Sequence, residues 1–370
     1  MPFPPIPIIL VIVQAIGFCS AIILMMSVYL RHRFLSHLLL ALAFTGMLFF
    51  AILRFFVNFV EENEDLARAS WQVQNVFLIL GILLIFWAFI YFQHHEFPFY
   101  TNLVSLWGGA TILVYTLPDF TKMEFDELFG WNATYDPLVS VFAAPLIIFF
   151  IFAFIRPIIA KMKSSANPKV RKTGYLLIVS FSGSLLWGLL SAFTIIPMIR
   201  VFRAFILPLA WLLWAWVTWR NPLSLIFTDA KMNKILIATE AGVPVLYYDF
   251  KKRCSEDATV ATGILTALTS SLSEVLSPAQ TQDSLSSIRY QEQVVAVRSI
   301  KEGFLFFGFS QVEDPGLSSA FSVFIQQFVE IYGEHLKKVG IIQSERFESA
   351  AELAEEVFSS IYLLETSTPV

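Results

Sequence analysis

The sequence predicts a membrane-embedded, all-α bundle of seven helices over residues 1–220, followed by a cytosolic α+β domain over 234–365. A juxtamembrane linker of residues 221–233 joins the two parts. Of the 370 residues, 56% are hydrophobic, and apolar stretches long enough to cross a bilayer recur seven times. Beyond residue 234 the apolar period changes to that of short strands and amphipathic helices. The composition is therefore typical of a polytopic membrane protein that carries a soluble domain.

The seven apolar stretches approach the roughly 20 residues that a helix needs to cross about 30 Å of hydrocarbon. They cover 7–29, 34–59, 71–92, 102–117, 138–160, 175–196 and 199–219. The fourth is short and is interrupted by Gly108 and Gly109, whereas only a turn around Pro197 separates the sixth from the seventh. No positively charged segment precedes the first stretch, so we expect a retained span and not a cleavable signal peptide.

Charged residues between the stretches set the predicted orientation. Basic residues follow the first, fifth and seventh stretches, and acidic residues fill two of the connections on the opposite side. The basic residues are Arg31, His32, Arg33, Arg156, Lys161, Lys163, Lys169, Arg171, Lys172, Arg220, Lys231 and Lys234, and the acidic ones are Glu61, Glu62, Glu64, Asp65, Asp119, Glu124, Asp126 and Glu127. Because Lys- and Arg-rich loops remain in the cytoplasm, we expect an outside N-terminus and a cytosolic C-terminal domain at the plasma membrane. The outer loop 119–137 contains Asn132-Ala133-Thr134, an N-glycosylation acceptor triplet.

Polar residues inside apolar stretches are the first candidates for function, because polar groups are costly in a bilayer. Such residues gather near the outer ends of the second, third and seventh stretches. In the third stretch, Gln74 and Asn75 follow Gln72. The predicted ligand-binding residues are Arg54, Asn58, Gln72, Arg200 and Arg203. Guanidinium groups suit carboxylates and phosphates, so this set predicts an outward-facing pocket for a small anionic ligand. The alternative is that Arg54 extends toward Glu61 or Glu62 and that the other residues lie among lipid headgroups.

Neither a metal nor an organic cofactor is expected. His94, His95 and Glu96 are metal-ligating residue types, but adjacent histidines at a membrane boundary are more typical of interfacial residues. The seventh stretch has no lysine, which argues against a retinal Schiff base of the microbial rhodopsin kind.

The segment over 31–92 carries a resemblance to a known class of input domain. It combines a basic inner loop, a long span, an acidic outer loop and an aromatic residue, Trp71, that opens the next span. In these features it resembles the seven-helix sensor region that precedes histidine kinase and cyclase domains, which implies a receptor-like domain over about the first 220 residues. The chain departs from that class in its output, because His335 lacks the surroundings of a phospho-acceptor box and no glycine-rich ATP box follows.

The residues from 234 onward predict the element order ββαβββαα. Ile235, Ile237, Val245 and Tyr247 alternate about the Ala241-Gly242 turn, which predicts a β-hairpin. An amphipathic helix is predicted over 258–276, then the strands SSIRYQ, VVAVRSI and FLFFGFS, then two helices that follow Pro315-Gly316 and Gly340. Five strands in an antiparallel sheet with helices against it make an α+β domain large enough for its own core.

That element order, headed by ILIATEAGVPVLYYDF, looks like the longin domain, whose relatives include the roadblock family. The match covers about residues 231–365 and contains no catalytic motif. The resemblance implies a protein-binding platform, since longin and roadblock domains commonly bind or regulate small GTPases and trafficking partners.

Catalytic motifs are absent from the sequence of this domain: it has no phosphate loop, HExxH, nucleophile elbow or CxxC pair. We therefore expect no enzyme activity and no catalytic residues, and we expect no nucleic-acid partner. The basic run Lys251-Lys252-Arg253, together with Lys231 and Lys234, fits either contact with anionic inner-leaflet lipid or a solvated loop.

Together these features favour a receptor-like membrane protein that signals through a cytosolic protein partner, with a small GTPase as the candidate. One alternative is a transporter or membrane enzyme with a regulatory cytosolic domain. The other is an anchor that holds a trafficking platform at a membrane.

The predicted topology can be tested by cysteine accessibility in intact cells. A cysteine engineered beside Asn132 should react with a membrane-impermeant reagent, whereas one at Lys163 should react only after permeabilisation. The reverse pattern would overturn the orientation.

Overall fold

A computed structural model of the chain describes most of the predicted elements. It covers residues 5–59, 63–94, 99–117, 120–126, 130–135, 137–164, 168–190, 197–226, 228, 230–239, 243–252, 254–255, 286–290, 293–300, 304–337, 347–359 and 361. Contacts divide the chain into a first unit of Met1–Ser164 and Pro168–Leu225 and a second unit that begins at Ile226.

The described residues of the first unit form seven helices. They are α1 (Pro5–His32), α2 (Leu35–Phe59), α3 (Glu64–His94), α4 (Phe99–Thr116), α5 (Pro137–Ser164), α6 (Pro168–Leu190) and α7 (Pro197–Arg220). Three of them contain segments long and apolar enough to cross a bilayer, Ile9–His32, Leu35–Val57 and Glu64–Tyr91, and α7 contains a shorter apolar segment, Ala204–Arg220. Among the described residues, three helices are thus able by length and composition to span a membrane, and the seven spans stay a prediction.

The helices of the first unit form a closed ring in chain order. Each helix packs on the next, and α7 returns to pack on α1. Small residues allow close approach: a Cβ atom on Gly17 would lie 2.8 Å from Cβ of Pro208, and one on Gly183 would lie 2.9 Å from Cβ of Ala210. Close crossings at small residues are how helices pack where lipid removes the hydrophobic drive between them.

Buried aromatic rings fill the middle of this ring. Trp214 of α7 contacts three of them, with ring centroids 6.0 Å from Phe44 of α2, 6.1 Å from Phe154 of α5 and 4.9 Å from Phe181 of α6. Phe18 of α1 reaches the same cluster through Trp211, and Phe89 of α3 through Phe154. Side chains from six of the seven helices therefore share one aromatic core.

Apolar side chains also face outward from every helix of the bundle. On α1 the exposed residues Ile9, Ile12, Ile16 and Ile23 recur at intervals of three, four and seven, and so lie on one face. The other helices have corresponding exposed side chains: Leu42 and Phe49 on α2, Val73 and Leu80 on α3, Leu106 and Leu113 on α4, Ile148 and Phe152 on α5, Tyr175 and Val179 on α6, and Phe202 and Leu209 on α7. Large apolar side chains exposed around a whole bundle are characteristic of a lipid-facing surface.

A two-stranded hairpin covers one end of α2 and α3. Strands β1 (Thr121–Asp126) and β2 (Gly130–Tyr135) pair antiparallel, so the predicted outer loop contains regular structure. Met123 of β1 packs on the buried residues Val57, Ala67 and Trp71. This end of the bundle is called the hairpin end, and the end at Arg220 is called the linker end.

The second unit contains an antiparallel sheet. Its strands are β3 (Met232–Thr239), β4 (Pro244–Asp249), β5 (Cys254–Ser255), β6 (Ser286–Tyr290), β7 (Gln293–Ile300) and β8 (Phe304–Ser310), in the spatial order β5-β4-β3-β8-β7-β6. The five predicted strands are confirmed, and the two-residue β5 adds a short sixth at one edge. Strand β8, last in sequence, lies at the centre beside β3, which explains its continuous apolar sequence FLFFGFS.

Both faces of the sheet are apolar. Phe306 contacts Phe328 of helix α8 (Pro315–Lys337), and Phe358 of helix α9 (Glu348–Ser359) contacts Phe324. The opposite face carries a second buried cluster, Leu236, Ala238, Val295, Val297, Leu305 and Phe307. The two C-terminal helices are confirmed, and the helix predicted over 258–276 lies outside the described residues.

The close helix crossing at Gly17 makes a testable prediction. Gly17→Ala should destabilise the bundle by about 1–3 kcal/mol, because the new methyl group collides with the rigid ring of Pro208. Gly109→Ala is the matched control, since nothing lies within 4 Å of a Cβ atom there. Thermal unfolding of the detergent-solubilised protein should separate the two variants, and equal transition temperatures would contradict the close crossing.

Candidate functional site

Arg54 lies on α2 at the hairpin end, beside the opening turn of α3. Its guanidinium carbon is 5.8 Å from the centroid of the Trp71 ring, within the range of a cation–π interaction. Trp71 is 5% exposed and belongs to the cluster under Met123, whereas Arg54 is partly exposed. The indole thus orients a positive charge at the rim of the bundle, where it can meet a ligand or a headgroup.

Gln72 has a structural role at the same end. Its Nε2 donates a 2.9 Å hydrogen bond to the carbonyl oxygen of Thr116, which ties α3 to the last turn of α4. The neighbouring Gln74 and Asn75 are buried, at 1% and 4% exposure, and no hydrogen-bond partner of Gln74 Oε1 lies among the described residues. These amides therefore face the interior of the bundle, below the level of Arg54.

For the remaining residues of the predicted ligand set, the structure describes the backbone but not the side chains. Asn58 lies on α2, and Arg200 and Arg203 lie on α7, but their side chains are outside the described part of the structure. Asn132 lies on β2 opposite Glu124, and its side chain is likewise outside it. The five-residue anion pocket and the glycosylation site stay predictions, with Arg54 and Gln72 as the two members whose surroundings are known.

A second group of buried polar residues lies at the linker end and was not predicted from the sequence as a site. His37 of α2 and Lys161 of α5 are each seven residues from a core ring, Phe44 and Phe154, so they share the inward face of their helices. Thr218 lies one turn beyond Trp214. The exposed fractions of His37, Lys161 and Thr218 are only 0%, 4% and 0%.

The group includes two hydrogen-bond donors of α7, the Trp214 indole and the Thr218 hydroxyl. Neither Trp214 Nε1 nor Thr218 Oγ1 has a hydrogen-bond partner among the described residues. Buried donors of this kind commonly bind water or a ligand. In the sequence, the available signal was that His37 and Lys161 each lie seven residues from an aromatic residue. That spacing became informative only once the structure placed Phe44 and Phe154 in the core.

The joint between the units is fixed at both ends by hydrogen bonds within each unit. On the first unit, the Asn221 amide donates to Thr173 Oγ1 of α6 at 3.2 Å, and the Asn221 backbone N–H donates to the carbonyl of Val217. On the second, the Thr228 N–H donates to the carbonyl of Ile361 at 3.0 Å. Residues 222–225 between these points form turns. The described part of the linker is therefore not a free coil.

A charged network closes the hairpin of β3 and β4. Lys234 Nζ donates to Tyr247 Oη at 2.7 Å and lies 3.4 Å from Asp249 Oδ2. The Tyr247 hydrogen bond is the largest influence that raises the pKa of Lys234, and the Asp249 carboxylate adds to it. Burial acts to raise the pKa of Asp249, but the backbone N–H groups of Lys251 and Lys252 and the charge of Lys234 together hold it below its usual value. Both groups are therefore ionised at neutral pH.

Metal-ligating residues do not cluster in the described ranges: no group of three or more His, Cys, Asp or Glu side chains there is arranged to hold a metal ion. Helix α3 ends at His94, whose side chain lies outside those ranges together with His95 and Glu96. The expectation about these three residues is therefore untested.

Comparisons of the chain with protein-family models, with curated proteins and with solved structures found no match.

The role of Arg54 can be tested by a ligand screen based on thermal stability. If Arg54 binds an anion, carboxylates or phosphates that raise the transition temperature of the native protein should not raise that of Arg54→Ala. Arg68→Ala is the control, because it removes a second arginine at the hairpin end, one that forms a 2.6 Å surface ion pair with Glu64.

The same screen separates binding from structure. A ligand role requires that Arg54→Ala without ligand unfolds within a few degrees of the native protein. A large loss of stability without ligand would instead support a structural role for the contact with Trp71.

Proposed function

We propose that this protein is a seven-span membrane receptor whose cytosolic domain transmits the state of the bundle by binding another protein. The N-terminus and the β1–β2 hairpin face outside, and the second unit lies in the cytosol of the plasma membrane. The candidate output partner is a small GTPase, and the candidate input is a small anion near Arg54.

The outward-facing apolar side chains support seven spans. They occur on all seven helices of the ring, including α4 to α7. In water such a surface would aggregate, whereas in lipid it needs no cover. The basic residues after α1, α5 and α7 support the inside position of the linker end.

The fixed joint is the observation that carries the signalling proposal. Asn221 ties the end of α7 to α6, and Thr228 ties the start of the second unit to the end of its last helix. Six residues, 222–227, lie between these anchors in sequence. A displacement of the linker end of α7 against α6 would therefore pull directly on the segment that leads into β3, since little slack is available to absorb it.

The second unit supports a binding role for the output. Its described part is a sheet flanked by α8 and α9, with strands in an antiparallel order, which agrees with the element order that suggested a longin- or roadblock-like platform. Domains of that class act by presenting a surface to a protein partner, and the charged pair of Lys234 and Asp249 serves the unit's own hydrogen bonding. A small GTPase is proposed on that resemblance alone.

The buried polar group at the linker end favours a second candidate, a transporter with a regulatory cytosolic domain. Transport of protons or ions requires ionisable residues inside the bundle, and His37 and Lys161 are buried there at 0% and 4% exposure. A transporter would move a solute in sealed vesicles that contain only this protein, whereas a receptor would not.

Coupling through the joint can be tested by inserting a flexible Gly/Ser segment of about 15 residues after Pro222. Trp214→Ala removes the centre of the aromatic core and should change hydrogen exchange of β3 and β4 in the full-length protein. In the protein with the insertion, Trp214→Ala should no longer change hydrogen exchange of β3 and β4. The insertion alone should leave hydrogen exchange of the second unit unchanged. The control carries the same Gly/Ser segment after Val370.

Two outcomes would contradict direct coupling. One is an effect of Trp214→Ala on β3 and β4 that persists with the insertion, and the other is the absence of any effect without it.

Affinity capture with the full-length protein and with the insertion variant, followed by mass spectrometry, would identify the partner. Capture should survive the insertion while its dependence on the bundle is lost.

A further inference from the structure

The antiparallel register brings several lysines to one end of the sheet. Lys234 pairs with Asp249 and Met232 pairs with Ser310, so the start of β3, the end of β4 and the end of β8 lie together. Lys231 precedes β3, and Lys251 and Lys252 follow β4. All three are exposed. This end of the second unit, defined by Lys231, Lys251 and Lys252, is called the lysine end.

Asp249 lies at the same end and shapes the turn that bears two of these lysines. Asp249 is nearly buried, and its Oδ1 accepts the backbone N–H groups of Lys251 at 2.8 Å and Lys252 at 3.2 Å. Its Oδ2 lies 3.4 Å from Lys234 Nζ. Asp249 therefore holds the turn that presents Lys251 and Lys252, while Lys234 balances its charge.

An exposed apolar side chain lies at the same end. Val312, two residues after β8, is 55% exposed. The acidic residues that follow it are engaged elsewhere: Glu313 accepts a hydrogen bond from Ser287 on β6, and Asp314 accepts the N–H of Leu317 at the start of α8. An apolar tip next to exposed lysines is the combination that binds the headgroup region of a membrane.

Chain connectivity restricts how far the lysine end can be from the end of α7. Lys231 is eleven residues beyond Arg220, the last residue of α7. Fully extended, that segment would reach at most about 40 Å, and the turns over 222–225 shorten it. A cytosolic unit tethered this closely samples the bilayer surface at high effective concentration.

We propose that the lysine end docks on anionic lipid headgroups of the inner leaflet, with Lys231, Lys251 and Lys252 contacting the headgroups and Val312 entering the interface. This inference rests on the proposed topology, in which α7 leaves the membrane on the cytosolic side. A lysine near an anionic surface favours the docked state by up to about fivefold. Docking would orient the sheet relative to the bilayer and depend on lipid composition.

The test uses full-length protein in lipid nanodiscs, with Cys19→Ser and Cys254→Ser substitutions so that one engineered cysteine can be spin-labelled. The label is placed at Val312→Cys, or at Val243→Cys as the control. Val243 is 48% exposed and precedes β4 at the opposite end of the sheet. Accessibility of the label to a water-soluble paramagnetic reagent is compared between phosphatidylcholine discs and discs in which about a third of the lipid is phosphatidylserine.

Accessibility at position 312 should fall at least twofold in the anionic discs and remain unchanged at position 243. The triple substitution Lys231→Gln, Lys251→Gln and Lys252→Gln should abolish the difference, the corresponding three arginine substitutions should retain it, and salt near 1 M should weaken it. Equal accessibility in both kinds of disc, or a difference that survives the triple glutamine variant, would overturn the proposal. Protection that arises only when cytosolic protein is added would also overturn it, in favour of an acidic protein partner.

These results are separable from those on signalling. The Gly/Ser insertion tests coupling only. If that test fails, the protein without the insertion should still show lipid-dependent protection at position 312. If the protein without the insertion shows coupling but no lipid-dependent protection at position 312, only the lipid proposal is wrong.

Discussion

Packing around Trp214 is the interaction on which the helical unit depends. Its ring contacts aromatic side chains from α2, α5 and α6, and through Phe154 and Trp211 the same cluster extends to α3 and α1. In lipid, helices gain little from burying apolar surface against one another, so close contact and shape complementarity must hold them together. Edge-to-face aromatic pairs provide such contact, and glycine crossings such as that of Gly17 with Pro208 bring the backbones near enough for it.

The position of that cluster also bears on function. Polar groups lie on both sides of it: the Gln74 and Asn75 amides toward the hairpin end, and His37, Lys161 and Thr218 toward the linker end. A change at Arg54 would have to pass the aromatic layer to reach the last turn of α7, which is tied to α6 at Asn221. The aromatic layer thus lies between the proposed input region and the proposed output region.

The second unit is built around β3 and β8, its two central strands. Their side chains are buried on both faces, with Phe306 against α8 and Phe307 in the opposite cluster. This double burial leaves the ends and edges of the sheet for binding. The proposed uses of the unit follow that division, because the lysine end is assigned to the membrane and a protein partner is left to the remaining surface.

Local sequence patterns were sufficient to predict the helices of the bundle, five strands and the two C-terminal helices. These features follow from apolar period and length, which are properties of consecutive residues. The β1–β2 hairpin was not predicted, although TKMEFD and GWNATY both alternate apolar and polar residues. An isolated pair of six-residue strands is marginal on its own, and the contact of Met123 with Val57 and Trp71 is tertiary. Nor did it predict the strand order that places β8 beside β3, since pairing of distant strands is not encoded in either strand alone.

Residue types were likewise sufficient to select Arg54 and Gln72, but not to distinguish their roles. Tertiary contact decided that Gln72 ties α3 to the carbonyl of Thr116, whereas Arg54 stacks on Trp71 and stays partly exposed. In the same way, the lysines near the β3–β4 hairpin had two interpretations in the sequence, a lipid contact or a solvated loop. The fold brought Lys231, Lys251 and Lys252 to one end and used Asp249 internally, because strand register, and not sequence distance, determines which charges are neighbours.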